Sequence, residues 1–184
     1  WRVETGAPVR CVPLVSGGTV LVGNDDGVLL ALDTSSGVER WRFAAGAAIN
    51  SRCVVGGGGI VFAAADGRVY GLDQRTGRER WTQPLGAPVL ADLALADSQV
   101  VAITEAGEVN TISPESGLRA AKALLPDAGV SRFRPLATDG QVIIASAEGW
   151  LSCYAVRDLA LVWQRKAAAG IGGAPVLLGE RLYC

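Results

Sequence analysis

Asp33 and Asp73 are the first residues to test for chemistry. Each closes an apolar run, VLLALD and RVYGLD, and each is followed eight positions later by a tryptophan, Trp41 and Trp81. Two carboxylates at related positions suggest general acid–base work. Their neighbours repeat with them, however: Gly27 and Gly67, Gly37 and Gly77, all 40 residues apart. Residues that recur at a fixed period occupy equivalent places in successive units, so the two aspartates do not share one site. The reading is structural. Asp33 and Asp73 accept backbone N–H bonds in the turn that follows them. Gly37 and Gly77 supply a conformation that other residues resist. Trp41 and Trp81 fill the widening gap between neighbouring sheets. The third unit keeps the spacing with Ser113 and Ala121 at the Asp and Trp positions. The fourth restores Trp163 but has Ala155 and Leu159 for the aspartate and glycine. No residue emerges as catalytic.

Other sources of reactivity thin out quickly. The chain has no histidine, which removes the commonest general base and metal ligand. Cys11, Cys53, Cys153 and Cys184 form no CxxC pair and do not follow the period, so they read as buried small apolar residues. The NDDG stretch at 24–27 lacks the spacing of a calcium loop, and ADG, EAG and AEG take its place in later units; it reads as a hairpin turn. The runs GGGG (56–59) and GIGG (170–173) precede no GK[ST] and no helix, so they are not phosphate loops. No metal site is expected.

What remains is a set of charged residues that do not repeat. Aligned on the second strand of each unit, the first strands carry Arg10 and Val12, Asn50 and Arg52, Leu90 and Asp92, Arg132 and Arg134, and Gly172 and Ala174. Residues i and i+2 of a strand share a face. One face thus gathers four arginines, Asn50 and Asp92. If that face lines a channel, its mouth is basic and suits an anionic ligand or an acidic peptide; the alternative is a hydrated channel whose arginines pair with Asp92 or with carbonyls. Trp150 stands off the repeat position, where Val28, Arg68 and Glu108 fall in other units, and is a candidate interaction anchor or plain packing at a sheet edge.

The elements that must position these residues are short strands. In the first unit APVRCVPLV (7–15), TVLVG (19–23), VLLALD (28–33) and VERWRF (38–43) read as four strands joined by SGG, NDDG and TSSG turns. The units run at about 7–43, 47–83, 87–123 and 128–166, with a partial one at 170–184. A four-stranded sheet of this kind has two apolar faces and cannot bury them alone. Stacking the sheets radially buries both, which makes the fold class all-β, a β-propeller of four-stranded antiparallel blades. About four blades are complete, with partial ones at both ends. The chain opens at Trp1, the last landmark of a unit, and has no Met, so it is expected to be an arc of a larger propeller.

Composition narrows the partners. With 49% apolar and 19% charged residues the chain is globular, and its net charge of −1 offers no electrostatic case for nucleic acid. No apolar run reaches the length of a membrane-spanning helix.

The motif ALDTSSGVERW, with GLDQRTGRERW, resembles the tryptophan-docking AxDxxTGxxxW motif of the PQQ-like, quinoprotein dehydrogenase-like propellers; ISPESGLRAA matches in spacing only. The resemblance implies a propeller and leaves several activities open. Some members are quinone-dependent alcohol or glucose dehydrogenases. Others are non-catalytic, among them the outer-membrane assembly lipoprotein of Gram-negative bacteria and sensor domains of bacterial Ser/Thr kinases. The dehydrogenases imply PQQ, calcium ligands from Glu, Asn and Asp, a catalytic Asp and an adjacent Cys-Cys disulfide. Here no cysteines are adjacent. Of Asn24, Asn50 and Asn110 only Asn50 lies on an expected channel strand, and Asp92 is the one acid there. The chain is therefore closest in character to the non-catalytic members, and the resemblance implies an extracytoplasmic bacterial location. The expected function is a binding or scaffold module for a protein partner or for other domains of its own chain, without a cofactor. A fragment of a PQQ- and calcium-dependent dehydrogenase and a sensor of small anions are the alternatives.

Overall fold

The computed structural model describes residues 1–89, 91–125, 131–179 and 181–184, and among these there is no helix. Blade 1 comprises β1 (Leu14–Ser16), β2 (Thr19–Gly23), β3 (Val28–Asp33) and β4 (Glu39–Ala44). Blade 2 comprises β5 (Val54–Gly56), β6 (Gly59–Ala63), β7 (Arg68–Asp73) and β8 (Glu79–Pro84). Blade 3 comprises β9 (Ala94–Ala96), β10 (Gln99–Ile103), β11 (Glu108–Ile112) and β12 (Arg119–Leu124). Blade 4 comprises β13 (Leu136–Thr138), β14 (Gln141–Ala145), β15 (Trp150–Ala155) and β16 (Leu161–Lys166), and β17 (Val176–Leu178) and β18 (Arg181–Tyr183) begin a fifth. Every complete blade is an antiparallel meander in strand order, with the short strand at one edge. The chain is an arc of a β-propeller. The unit boundary expected at 128 lies outside the described residues, as do Leu90 and Glu180.

The core is a row of slabs between blades. Along β6, Ile60 and Phe62 join a cluster with Leu21, Leu29 and Trp41 of blade 1. The alternate residues Val61 and Ala63 join Val100, Ala102 and Ile112 of blade 3. Burial on both faces explains why the middle strands read as nearly continuous apolar runs rather than as alternating ones. A third slab joins Val101 and Ile103 to Val142, Ile144 and Tyr154. In the first slab Phe62 stacks on Tyr70 with ring centroids 5.1 Å apart, and Phe43 meets both edge-on.

The repeated motif is a docking device between blades. The Asp33 carboxylate accepts N–H bonds from Ser35 and Ser36, each at 2.9 Å, and closes the β3–β4 turn. Asp73 does the same with Thr76 through its N–H and hydroxyl. The indole N–H groups of Trp1, Trp41 and Trp81 donate to the carbonyls of Thr34, Gln74 and Pro114, always 33 residues ahead and at 3.0–3.1 Å. Each ring lies against the turn glycine of the next blade, Gly37, Gly77 or Gly117, whose φ is near +70°. The glycine thus serves the tryptophan of the preceding blade, a relation wider than the single-unit motif. At the seam between blades 3 and 4 the tryptophan is Ala121 and the glycine is Leu159. Leu159 has a φ of +53° and is only 4% exposed, packed in the slab against Ala121. Trp163 sits in β16 opposite Cys153, at the place Trp41 holds in β4 opposite Ala31.

One expectation is corrected. The first strand of each unit is much shorter than APVRCVPLV or its equivalents, reaching only Leu14–Ser16 in blade 1 and Val54–Gly56 in blade 2. The preceding residues are irregular. Pro8, Pro13, Pro88, Pro135 and Pro175 cannot donate to a ladder, so pairing starts only beyond them. In blade 2, which has no proline there, Ser51 replaces the ladder: its hydroxyl donates to the Ala63 carbonyl and accepts from the Ala63 N–H.

Candidate functional site

The irregular segments 7–13, 47–53, 91–93, 131–135 and 171–175 carry all six charged or amide residues expected at the channel. They lie outside the regular ladders, and the structure gives the six different surroundings. Arg10 turns outward: its side chain is 67% exposed and its Nε donates to Asp25 at 2.9 Å. Asp92 turns back toward blade 2, where its Oδ1 accepts the backbone N–H of Arg52 at 2.7 Å. This bond joins equivalent positions of adjacent blades and uses the main chain of Arg52, leaving its guanidinium out of any ion pair among the described residues. Asn50 is half-buried, and its side-chain oxygen is buried without a hydrogen-bond partner. Arg132 and Arg134 are exposed, again without a carboxylate partner among the described residues. Arg134 borders a cleft of about 350 Å³ between blades 4 and 5, walled by Leu136, Ala137, Val176 and Leu177. Of the expected arginines, Arg52, Arg132 and Arg134 are the ones without a carboxylate partner among the described residues.

Two buried thiols, Cys11 and Cys53, lie in the same segments. Burial raises the pKa of Cys11, and the Asp92 charge raises it further. Cys53 is pushed up strongly by burial, with smaller contributions from Cys11 and Asp92. Neither is a ready nucleophile. Cys11 instead does structural work, since its sulfur accepts the Gly23 N–H at 3.2 Å and donates to the Gly23 carbonyl. Ser51 performs the same task one unit later, so the 40-residue spacing of Cys11 and Ser51 was the available signal. The NDDG turn resolves similarly: Asn24 is buried, accepts from the Val28 N–H and donates to the Thr5 carbonyl. Thr104 and Ser146 accept the corresponding N–H groups of Glu108 and Trp150. Trp150 is half-buried on β15, with the Lys166 ammonium 5.1 Å from its ring centroid, a cation–π contact within the blade.

The arginines of the outer strands escape the sequence reading. Arg40 pairs with Asp33 at 2.6 Å and donates to the Thr19 hydroxyl at 2.7 Å. Arg80, its counterpart, donates to the Gly57 carbonyl of its own blade and to the Glu115 carbonyl of the next. One motif position therefore has two different partners, a difference set by Thr19 against Gly59 and invisible in the repeat itself.

The donor set does not fit a calcium–quinone centre. Among the described residues no three His, Cys, Asp or Glu side chains cluster as metal ligands. Asn50 and Asp92 offer side-chain oxygens on adjacent blades, one already bound to a backbone N–H, whereas calcium takes six to eight.

No protein-family model matches the sequence, and no curated protein matches it. Among solved structures the chain is similar to BamB from Moraxella catarrhalis, at 22% identity and a TM-score of 0.83, covering 95% of this chain and 57% of that one. It is also similar to the computationally designed Ika8 protein, at 17% identity and a TM-score of 0.79, covering 92% of this chain and 53% of that one. These likenesses show the propeller fold. The chain spans little more than half the length of either.

Proposed function

We propose that this arc belongs to a non-catalytic β-propeller that binds a protein partner through the basic rim of its axial opening. The carrying observation is the contrast among the arginines. Arg10 is neutralised by Asp25, whereas Arg52, Arg132 and Arg134 present guanidinium groups with no carboxylate partner among the described residues. A guanidinium offers a planar fork of donors that matches a carboxylate, so the complementary partner is an acidic, extended segment. The propeller fold shared with BamB supports a scaffold role. The quinone-dependent dehydrogenase is not favoured, because the residues present do not fit its metal centre.

The test is fluorescence anisotropy with a labelled glutamate-rich peptide. Changing Arg132→Ala and Arg134→Ala together is expected to weaken binding at least tenfold, and Arg10→Ala to leave it within about twofold. Competition by free glutamate or phosphate at similar concentrations would favour a small-anion sensor over a protein-binding module. Binding that survives the double change unaltered would sink the rim as the site.

A further inference from the structure

We propose that the notch between blades 3 and 4 receives an arginine side chain from a protein partner. The same notch recurs at each seam, between the inner hairpin of one blade and the β3–β4-type turn of the next. At the first seam Gly17, Thr19, Arg40, Gln74 and Arg75 border it. At the third, Asp97, Gln99, Ala120, Val156 and Arg157 enclose about 370 Å³. The first notch holds a comparable volume, about 350 Å³, but the first two seams each bring a guanidinium and an indole donor of their own to it. Arg40 reaches Thr19 and Asp33, and Arg80 bridges the carbonyls of Gly57 and Glu115 across the seam. Trp41 and Trp81 add an indole donor to the carbonyls of Gln74 and Pro114.

The third seam has lost both donors. Ala120 stands in place of the arginine and Ala121 in place of the tryptophan. Leu159 fills the ring slot, but it offers no hydrogen-bond donor in the indole's place. The Val156 carbonyl, equivalent to those of Gln74 and Pro114, receives no hydrogen bond among the described residues. At the same time the seam has gained an anion. Asp97 takes the place of Gly17 and Gly57, and holds a φ of +45° that a side chain resists. Only its Oδ1 is engaged, by the Gly140 N–H at 3.2 Å. Arg157 also borders the notch, but its side chain is 92% exposed and turns to Asp158 at 3.4 Å.

The result is a cleft with an exposed carboxylate and a carbonyl that receives no hydrogen bond among the described residues, at the spot where two sister seams hold a guanidinium. An arginine supplies five donors in a plane and one positive charge, so it answers this set more fully than a lysine does. This inference rests on the reading of the chain as a binding module, yet uses a surface other than the arginine rim.

The test uses a capped Gly-Gly-Arg-Gly-Gly peptide, followed by chemical shifts of the backbone amides. Shifts are expected at Asp97, Gln99, Gly140 and Leu159. They should vanish when citrulline, uncharged and of the same shape, replaces arginine. Ala120→Arg should fill the notch from within and abolish the shifts, and Asp97→Asn should weaken binding at least tenfold. The Asp97 variant carries the test if Ala120→Arg fails to fold. Arg132→Ala with Arg134→Ala should leave this binding unchanged, which separates failure here from failure of the rim. Equal shifts from the citrulline peptide, unaltered binding after Asp97→Asn, or no shifts at these amides would each overturn the proposal.

Discussion

Gly77→Ala is the sharpest probe of the docking device. Gly77 has a φ of +69°, and a Cβ built there would lie 2.6 Å from two ring carbons of Trp41. Gly46 provides the control, with a φ of +79° and no atom within 4 Å of the same hypothetical Cβ. Both substitutions force a side chain into the left-handed region, at a cost of about 1–2 kcal/mol. Only Gly77→Ala also displaces a ring, which adds about 1–3 kcal/mol of overpacking. The expected losses are therefore about 2–5 kcal/mol for Gly77→Ala and about 1–2 kcal/mol for Gly46→Ala. Trp41→Ala removes the obstacle but leaves a cavity and an orphaned Gln74 carbonyl, costing about 3–5 kcal/mol. In the double variant the clash is gone, so its loss should fall short of the sum of the two single losses by about 1–3 kcal/mol. Urea denaturation followed by far-ultraviolet circular dichroism measures the parent and the four variants without relying on the altered tryptophan. Additivity within about 0.5 kcal/mol, or equal losses for Gly77→Ala and Gly46→Ala, would refute the docking argument.

Two further outcomes follow from the same seams. Ala121→Trp alone should destabilise by about 1–3 kcal/mol through overpacking against Leu159, whereas Ala121→Trp with Leu159→Gly should recover most of that loss by re-forming the ring–glycine dock and its bond to Val156; denaturation showing simple additivity would count against this. Asp33 is held below the ordinary carboxylate range by the Ser35 hydroxyl, Arg40 and the Ser36 N–H, and Asp73 by the Thr76 hydroxyl and N–H. A lowered carboxylate stabilises the fold above its unfolded value and loses that effect as pH falls through the folded value. The stability gap between the native protein and Asp33→Asn should thus be full near neutrality and close in acid; a gap that is constant with pH would show that the charge is irrelevant.

The fold was legible because its chemistry is periodic. A 40-residue repeat of glycine, aspartate and tryptophan can only be satisfied by identical sheets, and sheets with two apolar faces must stack. The length of the inner strands was not legible. Side chains can replace ladder bonds, as Ser51 and Cys11 do, and no local propensity distinguishes a residue that pairs through its backbone from one held by a neighbour's hydroxyl or thiol. That error carried over to the rim. Alternation predicts one face for Arg10, Asn50, Arg52, Asp92, Arg132 and Arg134 only if no local partner draws a side chain aside. The irregular segments send Arg10 to Asp25 and Asp92 to the Arg52 N–H.

The departures from the repeat carry the most information once the docking geometry is known. Read within units, Ala121 and Leu159 are two separate losses in adjacent repeats. Read across the seam they are one exchange, since the residue that drops its indole faces the residue that gains a side chain where a ring would lie. Leu159 tolerates a φ of +53° because it gains nearly complete burial in the space the ring leaves. Ala120 and Asp97 belong to the same seam; Asp97 accepts the Gly140 N–H across it through Oδ1, and among the described residues no cation replaces the lost guanidinium. The arginine that staples blade 2 to blade 3 is missing between blades 3 and 4, and a carboxylate has appeared beside its place. Here a lost cation, a lost indole donor and a gained anion converge on one notch, and a donor brought by another chain would complete it.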